Sequence, residues 1–184
     1  MKRDEFGKQL DLETDWIPPG RRNRSGLPLD LKYITVHNTG NRDAGADARM
    51  HASFVKNTGY WVDDNGRKRW VSWHYTVDDK RVIRHLPVNE RGMHAGSRTG
   101  NERSIGVEIC MHKGIDQEKA FRRAARLIAA LRYDLDVAAD DVVPHIRWSG
   151  KKCPELLLND GKPGAKWEAF KNLVQAELET IDPM

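Results

Sequence analysis

The run Ser104-Ile-Gly-Val-Glu-Ile-Cys110 alternates strictly, setting Ile105, Val107 and Ile109 on one face and Gly106, Glu108 and Cys110 on the other. A period of two belongs to a strand with one face in a core. Lys32-Tyr-Ile-Thr-Val-His-Asn38 is β-branched and repeats the pattern, with Ile34 and Val36 on one side and Tyr33, Thr35 and His37 on the other. Between and after these strands the period changes to that of a helix. Ala48, Ala52 and Val55 mark a helix over 46–56. Phe121, Ala124, Ala125, Ile128 and Leu135 mark a longer one over 117–135, with its arginines outward. A third, over 166–181, buries Trp167, Phe170, Val174 and Leu178. Asp63-Asp64-Asn65-Gly66 reads as a turn between Trp61-Val62 and Trp70-Val71, and further strands are expected over 71–77, 81–86 and 141–145. Strands alternating with helices predict an α/β fold: a single domain with a mixed central β-sheet flanked by helices.

The 184 residues suffice for one core without disulfide support. The division expected is a polar N-terminal segment over 1–14 followed by one domain over 15–184. No apolar run approaches bilayer length, and the first fifteen residues are charged, with no apolar stretch of the kind a signal peptide needs. A net charge of +4 is too small to imply an anionic partner, and arginines scattered over helix faces are poor groove readers. No nucleic-acid partner and no membrane partner are therefore expected, and the chain reads as a monomer. Arg21, Arg22 and Arg24 read as a solvated arm. Two cysteines, Cys110 and Cys153, make no disulfide framework, although a single bridge between them stays open.

The chemistry concentrates in Val143-Pro-His-Ile-Arg-Trp-Ser-Gly-Lys-Lys-Cys-Pro154. Imidazole and thiolate both suit zinc, and a catalytic zinc takes three protein ligands with one position open. His145 and Cys153 supply two, and His37, at the end of its strand, is the natural third. Taken alone, the His145–Cys153 pair is equally a surface histidine and a buried thiol. Cys153-Pro154-Glu155 resembles a helix start, whose dipole favours a thiolate. Glu108 lies in an apolar strand where a carboxylate needs a partner; beside a metal-activated water it is a general base, and the bland alternative is a buried ion pair with an arginine. Lys151 is placed to steady an oxyanion, or is simply solvated. His74, on the face of Ser72 and Thr76, and His94, in a glycine-flanked loop, are expected to line a cleft.

These stretches, in order, resemble the zinc amidases of the amidase-2 type, the group that contains T7-like lysozymes and peptidoglycan recognition proteins, and within it the Bacillus prophage endolysin amidases. The resemblance is carried by Tyr33-Ile-Thr-Val-His-Asn-Thr39, Ser72-Trp-His-Tyr-Thr-Val-Asp-Asp79, Gly92-Met-His-Ala-Gly96, Ser104-Ile-Gly-Val-Glu-Ile-Cys110 and Trp148-Ser-Gly-Lys-Lys-Cys-Pro154. It spans roughly Asp15 to Phe170. It implies one zinc per chain held by His37, His145 and Cys153 at the sheet edge, with Glu108 and Lys151 as catalytic residues; His74, His94 and Trp148 are the substrate-binding residues expected beside them. The activity implied is hydrolysis of the amide between N-acetylmuramic acid and L-alanine in bacterial peptidoglycan, with a binding-only module of the same fold as the alternative. Action at the cell wall without a signal peptide implies release by a phage holin or by mother-cell lysis. Where the T7-like branch has a tyrosine, this chain has Trp73, which favours Glu108 as the base. The 60–70 stretch is longer than in relatives, so a hairpin is expected beside the cleft.

Overall fold

The computed structural model describes residues 1–182. Its six-stranded sheet runs in the order β1 (Leu12–Thr14), β6 (Val82–Arg84), β5 (Tyr75–Val77), β7 (Ser104–Ile109), β2 (Tyr33–Asn38), β8 (Val142–Pro144). All neighbours are parallel except β5 and β6, which form an antiparallel pair. The mixed sheet of a single α/β domain is what the alternation of strands and helices predicted.

The alternation also assigns the faces correctly. Ile34, Val36, Ile105, Val107 and Ile109 are fully buried in one cluster with α4 (Gln117–Leu135) and α6 (Ala165–Glu179). The small face of α4, rich in alanine, lets it lie close to the sheet, and Asp116 caps its first turn by accepting from Lys119 N. The opposite sheet face meets α2 (Ala48–Asn57) through Ala48, Ala52, Ile83 and Cys110. Asp47 caps α2 by accepting from Met50 N at 2.9 Å. No helix among the described residues is long and apolar enough to cross a membrane.

Three local expectations are corrected. The segment over 1–14 does not stand apart: α1 (Arg3–Lys8) places Phe6 in the main core, Leu10 follows it there, and β1 pairs with β6 at the sheet edge. Two well-spaced apolar residues in a charged stretch leave no periodicity to read, yet suffice to dock it. The strand over 71–77 is regular only at β5; before it, Ser72 bridges Met93 and His74 N donates to Gly106 O, so the chain crosses to new partners. Arg24 is no solvated arm: its guanidinium holds Glu90 in a two-pronged pair, both contacts 2.8 Å. The expected hairpin exists, as β3 (Tyr60–Val62) and β4 (Lys68–Trp70) in a separate two-stranded sheet.

Candidate metal centre and cleft

Strand register assembles the site. In the β2–β7 ladder His37 stands opposite Glu108, and in the β2–β8 ladder Val36 stands opposite Pro144, so His145 follows directly beside His37. The short helix α5 (Ile146–Ser149) then turns the chain back through Gly150, and Ile146 N donates to Cys153 O at 2.9 Å, holding the thiol against the same strand end. Ligand sites at the carboxyl ends of parallel strands are the general rule for such sheets. His37, His145 and Cys153 are all buried, and their donor atoms lie within 4.8 Å of one another.

Proton bookkeeping shows that the cluster fits a cation. Ser104 O can only accept, so His94 Nε2, 3.1 Å away, carries its ring proton and His94 Nδ1 keeps a lone pair. That lone pair accepts from His37 Nε2–H at 3.0 Å. Ala95 O likewise accepts from His145 Nε2–H at 3.1 Å. Both rings therefore turn unprotonated Nδ1 atoms toward each other, 3.0 Å apart, with Cys153 Sγ 3.9 Å from His37 Nδ1. Facing lone pairs repel; a positive ion between them and the sulfur removes the conflict. Tetrahedral zinc separates nitrogen and sulfur donors by about 3.3–3.6 Å, a spacing bracketed by these distances. The Cys110–Cys153 bridge does not form: both thiols are free and buried.

Glu108 Oε1 lies 3.8 Å from His37 Nδ1 with the side chain 14% exposed, and Glu108 Oε2 has no hydrogen-bond partner. No arginine pairs with it among the described residues, so the ion-pair alternative falls away. Burial raises its carboxyl to about 8, opposed by the positive charge of Lys151. Burial and then the Glu108 charge push the Cys153 thiol up to about 12. The expected helix dipole does not help that thiol, because only a single tight turn over Glu155–Leu157 follows Pro154; an adjacent dication is what would ionise it.

Of the residues expected to touch substrate, His94 borders the cleft, its backbone held by Asn101 Oδ1, which accepts from His94 N and Ala95 N at 2.9 and 2.8 Å. His74 does not. It is fully buried, accepting from Gly106 N at 3.0 Å through Nδ1 and donating to Glu90 O at 2.8 Å through Nε2. Trp148 also turns away, donating to Thr35 Oγ1 at 2.9 Å and meeting Tyr33 edge-on. Trp73 donates to Thr76 Oγ1 at 2.7 Å, and its indole brings no ionisable hydroxyl to the cleft.

The cleft has two hollows that share Trp61 and Val71 as a divide. One, about 260 Å³, runs from Glu108 past His51 to Phe54 and Trp73; the other, about 510 Å³, runs from His94 and His145 past Lys151 to Lys68 and Trp70. The hairpin lies beside the cleft as expected, whereas His51 left no sequence signal of this role, because only tertiary packing brings it to the site.

Two expectations follow from this packing. A Cβ on Gly106 would fall 2.7 Å from the His94 ring. Gly106→Ala is therefore expected to lower stability by about 1–3 kcal/mol and to weaken metal binding, as read by urea unfolding and chelator competition; an unaltered unfolding midpoint would count against the packing. Burial also holds imidazoles neutral: His51, His74, His85 and His145 fall to about 4 and His94 to about 3. Unfolded imidazoles titrate near 6.5, so between about pH 4 and 6.5 the unfolded chain binds more protons and folding stability rises with pH. Each such group adds up to about 1.4 kcal/mol per pH unit within that window. The metal-free protein should lose stability steeply below about pH 6.5; a urea midpoint constant from pH 7 to 5 would contradict it.

Comparison with known proteins decides the family. The N-acetylmuramoyl-L-alanine amidase family model, Amidase_2, matches residues 27–156. The chain belongs to this family. It is 44% identical over 166 residues to the N-acetylmuramoyl-L-alanine amidase CwlH of Bacillus subtilis, covering 89% of this chain and 60% of the relative. It is 43% identical over 164 residues to XlyA of the same species, covering 88% of this chain and 50% of the relative. The chain thus spans about half to three-fifths of the length of these curated amidases. The solved catalytic domain of XlyA superposes with a TM-score of 0.77 at 42% identity, covering 89% of this chain and 98% of that domain.

Proposed function

We propose that this amidase-family chain hydrolyses the amide joining the lactyl group of N-acetylmuramic acid to L-alanine in bacterial peptidoglycan, with zinc held by His37, His145 and Cys153. The observation that carries this reading is the convergence of three buried donors, two of them facing lone pairs, beside a buried carboxylate without a charge partner.

A bound zinc supplies a water of lowered pKa and polarisation of the scissile carbonyl. Glu108 takes the proton of the attacking water and returns it to the leaving nitrogen of L-alanine. Lys151 draws the carboxyl of Glu108 back toward its ionised form and faces the developing oxyanion from the cleft wall. His94 is a positioning residue: by accepting from His37 Nε2–H it fixes the tautomer that frees His37 Nδ1. The chain thus acts on the cell wall, with peptidoglycan as its partner.

The deciding experiment is digestion of purified peptidoglycan. Release of peptides with new L-alanine amino termini, without new reducing sugars, supports the amidase. Binding to the wall without such release points to a binding-only module.

A further inference from the structure

The two hollows differ in charge, and amide hydrolysis alone does not require that they should. The larger one carries three cations, Lys68, Arg69 and Lys151, and no carboxylate. Arg69 is held by Asp63 at 2.7 Å, which fixes it on the hairpin. Lys68 lies 4.1 Å over the Tyr60 ring, and neither it nor Lys151 has an acidic partner among the described residues. The smaller hollow carries no cation and one carboxylate, Glu108. Its walls are aromatic, from Phe54, Trp61 and Trp73, and Thr39 Oγ1 and His51 Nε2 stand buried there without partners. Unpartnered neutral polar atoms between aromatic faces suit a ligand of hydroxyl and acetamido groups. An anion there would sit unpaired beside Glu108.

The proposed substrate has a matching asymmetry. On the acyl side of the scissile amide lies an uncharged sugar; on the amine side lies a peptide that bears carboxylates. We propose that the sugar occupies the aromatic hollow and the peptide the cationic one, with Lys68 of the β3–β4 hairpin binding the first carboxylate beyond L-alanine. This inference rests on the amidase reading and adds to it a direction across the cleft and a charge selection. Lys151 lies nearest the reacting bond, so Lys68, farther along the hollow, is the residue that reads the peptide.

The test uses two muramoyl-L-alanyl tripeptides that differ only at the second residue, one with a free α-carboxylate and one with its carboxamide. The protein should favour the acid by about fivefold in kcat/KM, the size expected of exposed charge pairs. The preference should lie in KM and shrink as salt rises from about 0.05 to 0.5 M. Lys68→Gln should bring the two substrates close to parity, and Lys68→Glu should reverse their order; both substitutions lie on an exposed hairpin, and a thermal melt checks that they fold. Equal rates on acid and amide in the unaltered protein, or a preference that survives Lys68→Glu, would overturn the assignment. Failure to cleave either peptide would instead sink the amidase reading, and this inference with it.

Discussion

Glu108→Gln is expected to keep its metal and its fold while losing about two to four orders of magnitude in turnover. The carboxamide has the shape of the carboxyl, so the strand register that sets residue 108 opposite His37 is undisturbed. What it lacks is a lone pair basic enough to take a proton from water. The 3.8 Å gap to His37 Nδ1 and the unpartnered Glu108 Oε2 leave the carboxylate free for that task. Metal content and amine release, measured on the same preparation, separate the outcomes. A variant with full metal and near-normal turnover would remove Glu108 from the chemistry. One that loses its metal would make the residue a ligand or a support.

Removal of the ion should have a larger effect still. Dialysis against a chelator is expected to reduce hydrolysis to background, and added zinc to restore it. Cys153→Ala and His145→Ala should recover nothing. The same ion should raise the melting temperature, because three donors drawn from strand ends and the following loop exist together only in the folded chain. At about a thousand times its Kd, free zinc stabilises by about 4 kcal/mol. The melting temperature should therefore rise by several degrees in the unaltered protein and stay flat in Cys153→Ala. If chelation leaves turnover intact, the reading of the cluster as a catalytic metal site is wrong.

How much of this was legible in the sequence depended on how local the cause was. The helix expected over 117–135 is found as Gln117–Leu135, because a long amphipathic stripe is a local signal. The two faces of β2 and β7 followed from alternation alone. The strand over 71–77 was over-read, because Ser72 and His74 keep the alternation while pairing irregularly with Met93 and Gly106. His74 and Trp148, expected at the cleft, are engaged inside the fold instead. Polar side chains on a suitable face resemble cleft residues until their partners are known, and here those partners are Gly106 N, Glu90 O and Thr35 Oγ1. The grouping of His37, His145 and Cys153 was visible in residue type and in the likeness of their motifs; the facing lone pairs that argue for a cation were not. Those depend on Ser104 O and Ala95 O, backbone atoms whose placement only the folded chain decides.

The hairpin stands outside the six-stranded sheet and touches the cleft only through its side chains at Trp61 and over 68–70. On the proposed reading, reactivity and substrate choice are written on different stretches of the polypeptide. On that reading, a mutation that re-lengthens or re-charges the 60–70 ribbon would redirect the chain to another wall chemistry while every group proposed to break the bond keeps its place.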